Sequence, residues 1–405
     1  MEPKQTRRKF LRNGLLAVTG SSVIVPSIAG STRNGKEETA KQDFVYRTLG
    51  KTGIKIPIVS MGTGNTDNPA LIRAAIDKGV KLFATSEYYH NGNNEKMLGE
   101  VLKDRPRDSF HIMTGTNGGL EIDYKNGLFK PETDPNAYLE SANGCLKRLQ
   151  VEYVDFFSLG FAARRESVFY EPLLKALETF KKQGKTKYLG IGTHKFEPEA
   201  IRAAADTGVF DVVMTAYNFK KNNIAEIEEA INYAAGKGMG IIAMKTMAGA
   251  YWDKERTMPI NTRAALKWVL NNENIHTTVP DCSSFDQLDQ DLNLMGDYKL
   301  TEDEKQDLEL TSDKLSTGIY CQQCGKCIPQ CKEGLDIPTI MRSYMYAYGY
   351  KNLAHAKHTL QSASVPVSAC SGCATCTIDC TMGFDISKKL ADINRLSDVP
   401  EEFLT

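Results

Sequence analysis

Between residues 58 and 292, short apolar runs alternate with longer stretches in which apolar residues recur every three or four positions. Short runs of this kind predict buried β-strands, and the longer period predicts amphipathic α-helices. The predicted strands are 58–61, 81–84, 110–114, 153–159, 188–191, 212–216, 240–244 and 275–279. The predicted helices, one after each strand, are 68–78, 94–102, 136–149, 172–183, 198–206, 224–237, 261–270 and 285–292.

Eight strand–helix units in succession predict an α/β fold, a (β/α)8 or TIM barrel, over residues 44–312. The alternative is a doubly wound sheet, which would place a Gly-x-Gly-x-x-Gly turn after its first strand. Here the first strand ends in Ser60-Met61-Gly62-Thr63-Gly64 instead. The barrel is therefore favoured, and its chemistry is expected at the carboxyl ends of the strands.

Eight of the ten cysteines lie in two runs near the carboxyl terminus, each with the spacing Cys-x2-Cys-x2-Cys-x3-Cys. The cysteines are Cys321, Cys324, Cys327, Cys331, Cys370, Cys373, Cys376 and Cys380. Zinc and disulfides are the alternatives, but structural zinc takes two separated pairs of ligands. Three thiolates spaced three apart suit three corners of an iron–sulfur cube, so we expect two [4Fe–4S] clusters.

The two runs resemble those of bacterial two-cluster ferredoxins. The resemblance implies crossed ligation, with one cluster held by Cys321, Cys324, Cys327 and Cys380 and the other by Cys331, Cys370, Cys373 and Cys376. Residues 338–356 between the runs have a helical apolar stripe. That helix makes the expected domain, residues 313–396, more similar to the mostly helical ferredoxin domains of respiratory iron–sulfur subunits. Cys145 and Cys282 are interpreted as buried thiols.

The first 29 residues have the layout of a signal peptide. Thr6-Arg7-Arg8-Lys9-Phe10-Leu11 precedes an apolar run, and small residues follow at 27–29. The paired arginines resemble a twin-arginine export signal. Because clusters are built on a folded chain in a reducing compartment, we expect export of the folded protein to the periplasm. Residues 30–43 predict a flexible linker.

The composition argues against a nucleic-acid partner and against a membrane span. Basic and acidic residues are equal in number, 50 each, and no basic face appears, so no nucleic-acid partner is expected. No run of about 20 apolar residues appears, so no membrane span is expected in the mature protein.

The barrel resembles aldo-keto reductases over residues 44–312. The resemblance is carried by several stretches in order: Tyr46 to Gly53, Met61-Gly62-Thr63, Asn94-Glu95, Tyr217-Asn218, Met244-Lys245, Ala264 to Leu270, Val279-Pro280 and Ser283-Ser284. It implies reduction of a carbonyl with a nicotinamide, NADP(H) or NAD(H). It also implies four catalytic residues: a tyrosine that protonates the oxygen, a tuning aspartate and lysine, and a histidine that orients the substrate.

Three of those four residues are replaced. Tyr89 stands at the tyrosine, but Ala84, Gly115 and Gly160 stand at the aspartate, the lysine and the histidine. An ordinary reductase mechanism is not expected at an ordinary rate, since a positioned acid contributes about 10²–10⁴ in rate.

Other polar residues at the strand ends are candidates to take over. The catalytic candidates are Tyr89, His90, His194 and Lys245. The cofactor candidates, by resemblance, are Gly62, Thr63, Asn218, Lys245, Ser283, Ser284 and Gln287. Asp281 follows Pro280 where the family has glycine, and its charge would repel a 2′-phosphate.

The expected function is an exported iron–sulfur oxidoreductase of aldo-keto reductase type. Its substrate is a small carbonyl or sugar-like compound, and a redox partner protein exchanges electrons with the clusters. The alternative is a catalytically inactive barrel that serves as an electron-transfer or binding subunit.

Overall fold

The computed structural model describes residues 44–362, 366–373 and 375–404. The chain divides into two compact units, Met1–Lys41 and Gln42–Thr405, and the described residues belong to the second. The predicted export signal and linker lie outside the described residues.

The strands are β1 Tyr46–Thr48, β2 Lys55–Pro57, β3 Met61–Gly62, β4 Leu82–Ala84, β5 His111–Thr116, β6 Ile122–Asp123, β7 Leu128–Phe129, β8 Val154–Leu159, β9 Thr186–Thr193, β10 Val212–Ala216, β11 Gly240–Met244 and β12 Thr277–Thr278. Strands β1 and β2 form an antiparallel hairpin, as do β6 and β7. The other eight are parallel in the order β3-β4-β5-β8-β9-β10-β11-β12.

The eight-stranded sheet closes on itself. Parallel bridges join Val59 to Thr278 and Gly62 to Asp281. The Ser60 N–H donates to the Thr278 carbonyl at 2.8 Å, between the first and last strands. The predicted (β/α)8 barrel is therefore confirmed.

The helices are α1 Pro69–Asp77, α2 Asn93–Leu102, α3 Pro135–Leu149, α4 Arg165–Val168, α5 Glu171–Lys182, α6 Glu197–Thr207, α7 Ile224–Gly236, α8 Thr262–Leu270, α9 Phe285–Leu292, α10 Glu302–Asp307, α11 Ser312–Thr317, α12 Ile337–Tyr344, α13 Leu353–Gln361 and α14 Ile386–Asn394. Each predicted barrel helix is found to within one residue at either end. Among the described residues, no helix has the length and apolar character to cross a bilayer.

The region predicted to be helical, residues 338–356, is helical in the structure, but it is divided into two helices. Helix α12 passes into a π turn, Met345–Gly349, and α13 begins four residues later. Between them Lys351 has a φ of 55°. The Asn352 side chain accepts from the His355 N–H at 3.0 Å and so caps α13. The apolar stripe continues across the break between α12 and α13, so the sequence pattern does not show the break.

The carboxyl-terminal domain covers the carboxyl ends of the barrel strands. Its contacts reach the loops after five strands: Asn352 Nδ2 donates to the Gly64 carbonyl (2.9 Å), Tyr88 Oη lies 3.3 Å from Thr359 Oγ1, Lys125 Nζ donates to the Gly334 carbonyl (3.3 Å), the Asn222 N–H donates to Gln322 Oε1 (3.1 Å), and the Gly249 N–H donates to Tyr350 Oη (3.2 Å). One apolar cluster joins Ala248 and Trp252 of the barrel to Ile340 and Tyr344. We call this covering domain the roof.

Candidate functional site

A small cavity of about 120 Å³ lies where the strand ends meet the roof. The barrel side includes Thr85, Tyr89, Gly115, Asn117, Ser158, Gly160, His194 and Lys245, and the roof side includes Arg342, Tyr346, His355 and Thr359. We call it the central cavity. The two domains of the chain thus share one site.

Tyr89 is fixed at the central cavity by a tight turn after β4. Its ring packs so closely on Gly64 that a Cβ there would lie 2.8 Å from the ring. Burial raises the pKa of the phenol, and the Asp281 carboxylate raises it further, whereas the charge of Lys245 lowers it. The pKa stays above its usual value, so Tyr89 presents a protonated hydroxyl at neutral pH.

Lys245 directly follows β11 and has a left-handed backbone, with a φ of 57°. The Asn218 side chain donates to the Lys245 carbonyl at 3.0 Å and holds this turn. Nζ lies 4.7 Å from the centre of the Tyr346 ring. Burial lowers the pKa of Lys245, but Tyr346, Tyr89 and other neighbours raise it by more, so the amine stays protonated. A cation therefore lies beside Tyr89, although Gly115 replaces the lysine that the resemblance implies.

Two histidines line the central cavity, one from each domain. Burial and the charges of Lys245 and Arg342 hold the pKa of both His194 and His355 well below the usual value. Both rings are therefore neutral and can each donate and accept one hydrogen bond. The ring centre of His355 lies 5.7 Å from that of Tyr89.

His90 does not line the central cavity. It lies in a neighbouring cavity of about 480 Å³ between the turn after β4 and helix α13. Its Nε2 is buried and has no hydrogen-bond partner in the part of the chain that the structure describes. The prediction that His90 lies at the catalytic rim is met only in part, because the chain turns it to the side.

The three positions that depart from the resemblance lie at the mouth of the barrel. Gly115 and Gly160 line the central cavity, and Ala84 lines the next one. A Cβ on Gly115 would lie 2.3 Å from the Ser158 carbonyl oxygen, whereas one on Gly160 would meet the movable Asn117 side chain at 2.7 Å. Position 115 therefore has no room for the lysine.

We expect Gly115→Ala to destabilise the protein by about 1–3 kcal/mol, because the added methyl group meets a strand carbonyl that cannot move away. Gly236→Ala is the matched control, since a Cβ there meets nothing within 4 Å at the end of α7. Alanine is the better helix former by up to about 1 kcal/mol. The melting temperatures of the two variants should move in opposite directions, and a harmless Gly115→Ala would contradict the close packing.

The adjoining cavity of about 430 Å³ also reaches Tyr89 and Lys245 and contains Gly62, Ser283 and Gln287 from the predicted cofactor set. The Ser283 hydroxyl donates to Gln287 Oε1 at 3.0 Å. Asp281 accepts from the Gly64 N–H at 3.0 Å, and Arg256 stacks on Tyr251 with Nη1 buried and unpartnered among the described residues. The adjoining cavity therefore contains both the Asp281 carboxylate and the Arg256 guanidinium.

Three predicted cofactor residues lie outside the cavity wall and have structural contacts. Thr63 donates to Asn94 Oδ1 at 2.6 Å, and Ser284 caps α9 by accepting from the Gln287 N–H at 3.3 Å. Asn218 holds the backbone of Lys245, as described above. These residues shape the site without lining it.

The structure gathers the cysteines of the two runs into two mixed groups. One pocket is lined by Cys321, Cys324, Cys327 and Cys380. A second is lined by Cys331, Cys370, Cys373 and Cys376. These are the crossed sets implied by the ferredoxin resemblance. Among the described residues, no three His, Cys, Asp or Glu side chains approach closely enough to share a single metal ion.

Sequence reasoning did not identify Arg342, Tyr346 and His355 as site residues. The stretch that contains them was interpreted as a helix with Ile340, Met341, Tyr344, Met345 and Tyr348 on its apolar stripe. Only the docking of α12 and α13 on the barrel turns these three side chains toward Tyr89. Cys145 and Cys282 are buried free thiols whose pKa is raised chiefly by burial.

Two family models match this chain. Residues 62–263 match the aldo/keto reductase family. Residues 320–385 match the 4Fe-4S dicluster domain.

Among curated proteins, L-galactose dehydrogenase of Arabidopsis thaliana is 28% identical over 220 residues, which is 50% of this chain. This chain spans 65% of that relative's length, just under two thirds. A holo-form aldo-keto reductase from Bacillus halodurans aligns with a TM-score of 0.53 at 20% identity, covering 66% of this chain and 95% of that one. The thermostable aldo-keto reductase Tm1743, in complex with epalrestat, aligns with a TM-score of 0.50 at 21% identity over 65% and 98%. At such identities the two structures show the barrel fold alone.

Proposed function

We propose that this chain, which carries an aldo-keto reductase domain and a carboxyl-terminal 4Fe-4S dicluster domain, couples substrate oxidation or reduction in the barrel to electron transfer by its clusters. The observation that carries the proposal is the shared central cavity. Tyr89 of the barrel and Tyr346 of the cluster domain line the same 120 Å³ space. A cluster domain that lies over the catalytic face is placed to exchange electrons with a substrate bound there, which is a physical reason for its fusion to the barrel.

Two [4Fe–4S] clusters fit the two groups of four cysteines, since four thiolates are the usual ligands of such a cluster. Cys321, Cys324, Cys327 and Cys380 would hold one, and Cys331, Cys370, Cys373 and Cys376 the other. When bound, the clusters supply or accept electrons one at a time.

The barrel side chains act on the substrate oxygen. The protonated Tyr89 hydroxyl donates to a carbonyl oxygen and takes the proton back in the reverse direction. Lys245 stabilises the negative charge that develops on Tyr89, the role that the family gives to a lysine at the position of Gly115 in β5. Neutral His194 and His355 orient the substrate by hydrogen bonds, and the roof excludes water.

The adjoining cavity fits part of a nicotinamide cofactor, which supplies or accepts hydride when bound. Gly62, Ser283 and Gln287 would hold it, and Arg256 offers an unpartnered donor for a phosphate. Asp281 opposes a second phosphate nearby. NAD(H) therefore matches the cavity better than NADP(H). The proposed substrate of the protein is a small carbonyl or sugar-like compound.

Export of the folded protein to the periplasm by the twin-arginine route is also part of the proposal. It is supported by Arg7 and Arg8 before an apolar run, together with cysteine runs that need a reducing compartment during cluster assembly. A redox partner protein would then exchange electrons with the clusters outside the cytosol.

The test is an anaerobic titration of cluster-loaded protein with NADH and NADPH, followed by cluster absorbance and nicotinamide fluorescence. We expect NADH to bind more tightly than NADPH and to bleach the clusters. Reduced clusters should then reoxidise when a carbonyl substrate is added. Clusters that respond to no nicotinamide and no barrel ligand would contradict the proposal.

The alternative, an inactive barrel that serves as an electron-transfer or binding subunit, is favoured by Ala84, Gly115 and Gly160. It predicts that the clusters exchange electrons with a protein partner at a rate that is unchanged by Tyr89→Phe. The proposed mechanism predicts that Tyr89→Phe slows substrate-dependent reoxidation of the clusters by about 10²-fold or more. Comparing these two rates decides between the functions.

A further inference from the structure

Among the residues that the structure describes, the wall of the central cavity has two cations and no carboxylate. The cations are Lys245 from the barrel and Arg342 from helix α12. His194 and His355 on the same wall are neutral, as argued above. Asp281 lines the adjoining cavity, where it accepts a hydrogen bond from the Gly64 N–H and helps to raise the pKa of Lys245.

Neither cation forms an ion pair within the described residues. The salt bridges of the described chain involve 22 atom pairs, and none includes Lys245 Nζ or the Arg342 guanidinium. Holding two unpaired cations at a half-buried wall is costly unless an anion completes the site.

The central cavity also contains two buried polar side-chain atoms. Asn117 Oδ1 and Ser158 Oγ line the same cavity and have no hydrogen-bond partner among the described residues. Ser158 is 4% exposed. Buried polar atoms in proteins are nearly always satisfied, so such atoms point to a bound molecule with hydrogen-bonding groups of its own.

We propose that the central cavity binds the carboxylate of a small hydroxy or oxo acid, such as a sugar acid, in preference to the matching neutral compound. Arg342 offers a planar fork that can pair with both carboxylate oxygens. Lys245 adds a second charge, and Ser158 and Asn117 meet hydroxyl groups. The proposal deepens the proposed function, on which it rests, by naming the substrate class.

The dimensions agree with this class. The central cavity of about 120 Å³ is several times the roughly 10–15 Å³ that one water needs, enough for a carboxylate and its neighbouring carbons. Tyr89, Met214, Met244 and Lys245 line both the central and the adjoining cavity, so the rest of a ligand can continue into the larger space.

The test compares matched ligands on anaerobic, cluster-loaded protein by calorimetry. The pairs are glucuronate with glucose, galacturonate with galactose, and gluconate with glucitol. At least one acid should bind tenfold or more tightly than its neutral partner, because charge-assisted hydrogen bonds are about twice as strong as neutral ones. Equal affinity in every pair, or no binding of any acid, would overturn the inference.

Arg342→Gln should remove most of this preference by weakening acid binding about tenfold or more while leaving the affinity for the neutral partner unchanged. Arg342→Lys should restore part of it, since the charge returns without the fork. Arg395→Gln is the control, because Arg395 is an exposed arginine of the same domain and lines neither cavity.

Met341, next to Arg342, lines the pocket of Cys321. Should Arg342→Gln alter only the cluster spectrum and leave acid affinity intact, Arg342 serves the cluster and the inference is wrong.

Failure here and failure of the proposed function give different results. Clusters that respond to a carbonyl compound while no acid binds would overturn the substrate class alone. Selective acid binding with silent clusters would support the anion site and contradict the coupling to electron transfer.

Discussion

Replacing Cys324 and Cys380 together by alanine is expected to leave about four iron atoms per chain, whereas replacing Cys324 and Cys331 together is expected to leave almost none. The reason is the grouping of the cysteines into two mixed pockets. Cys324 and Cys380 line the same pocket, so both changes fall on one cluster. Cys324 and Cys331 line different pockets, so both four-iron clusters lose a ligand.

Uncrossed ligation would give the reverse order, because Cys324 and Cys331 belong to the same sequence run. Iron and sulfide are measured on protein that is assembled and purified without oxygen. Cys282→Ala is the control, since Cys282 is buried far along the chain from both runs and donates to Asp291 Oδ2 at 3.3 Å. It should retain about eight iron atoms per chain. Equal iron in the two double variants would exclude the crossed arrangement.

Glu197→Gln is expected to cost about 3–5 kcal/mol of stability, because it leaves a buried lysine without its counter-charge. Glu197 Oε1 lies 2.6 Å from Lys221 Nζ, and the two side chains are 3% and 1% exposed. Burial lowers the pKa of Lys221, but Glu197, Tyr320 and Cys321 together raise it by more, so the amine stays protonated. Glutamine keeps the shape and removes the charge.

The chain contains a closely matched control. Glu171 and Glu197 both occupy the first position of a helix, both precede proline, and both pair with a lysine at 2.6–2.7 Å. The difference is exposure, because the Glu171 side chain is 73% exposed. Solvent screens such surface pairs, so Glu171→Gln should leave the melting temperature unchanged.

The measurement is the melting temperature of the cluster-loaded protein, followed by circular dichroism under anaerobic conditions. Glu197→Gln should lower it by about 5–10 °C. The double variant Glu197→Leu with Lys221→Met should recover most of that loss, since a buried ion pair can often be replaced by apolar side chains. Similar melting temperatures for Glu171→Gln and Glu197→Gln would show that burial of the pair has no energetic consequence.

Local pattern was sufficient for most of the barrel. Short apolar runs predict buried strands and the 3.6-residue period predicts helices, so eight alternating units favour the closed barrel over a doubly wound sheet. The prediction of helix over 338–356 missed the break between α12 and α13, because periodicity does not register a π turn or the cap at Asn352. The crossed ligand sets and the export signal stay predictions.

The candidate site was predictable where it lies on barrel strands and unpredictable where it comes from the roof. Tyr89, His194 and Lys245 follow strands β4, β9 and β11, so strand order alone places them at one end of the barrel. His90 follows Tyr89 in the chain but is turned into the side cavity by left-handed residues at 90 and 91. No local sequence pattern predicts this left-handed turn.

The sequence by itself determined the barrel, the cysteine spacing and the departure from the aldo-keto reductase resemblance at three positions, because each of these depends only on residue type and short-range order. The tertiary structure alone decided that Arg342, Tyr346 and His355 meet Tyr89, and that no carboxylate of the described residues lines their cavity. Those residues lie more than 250 positions along the chain from Tyr89. Their meeting depends on how α12 and α13 pack across the strand ends, and packing between distant segments leaves no periodic signal in either.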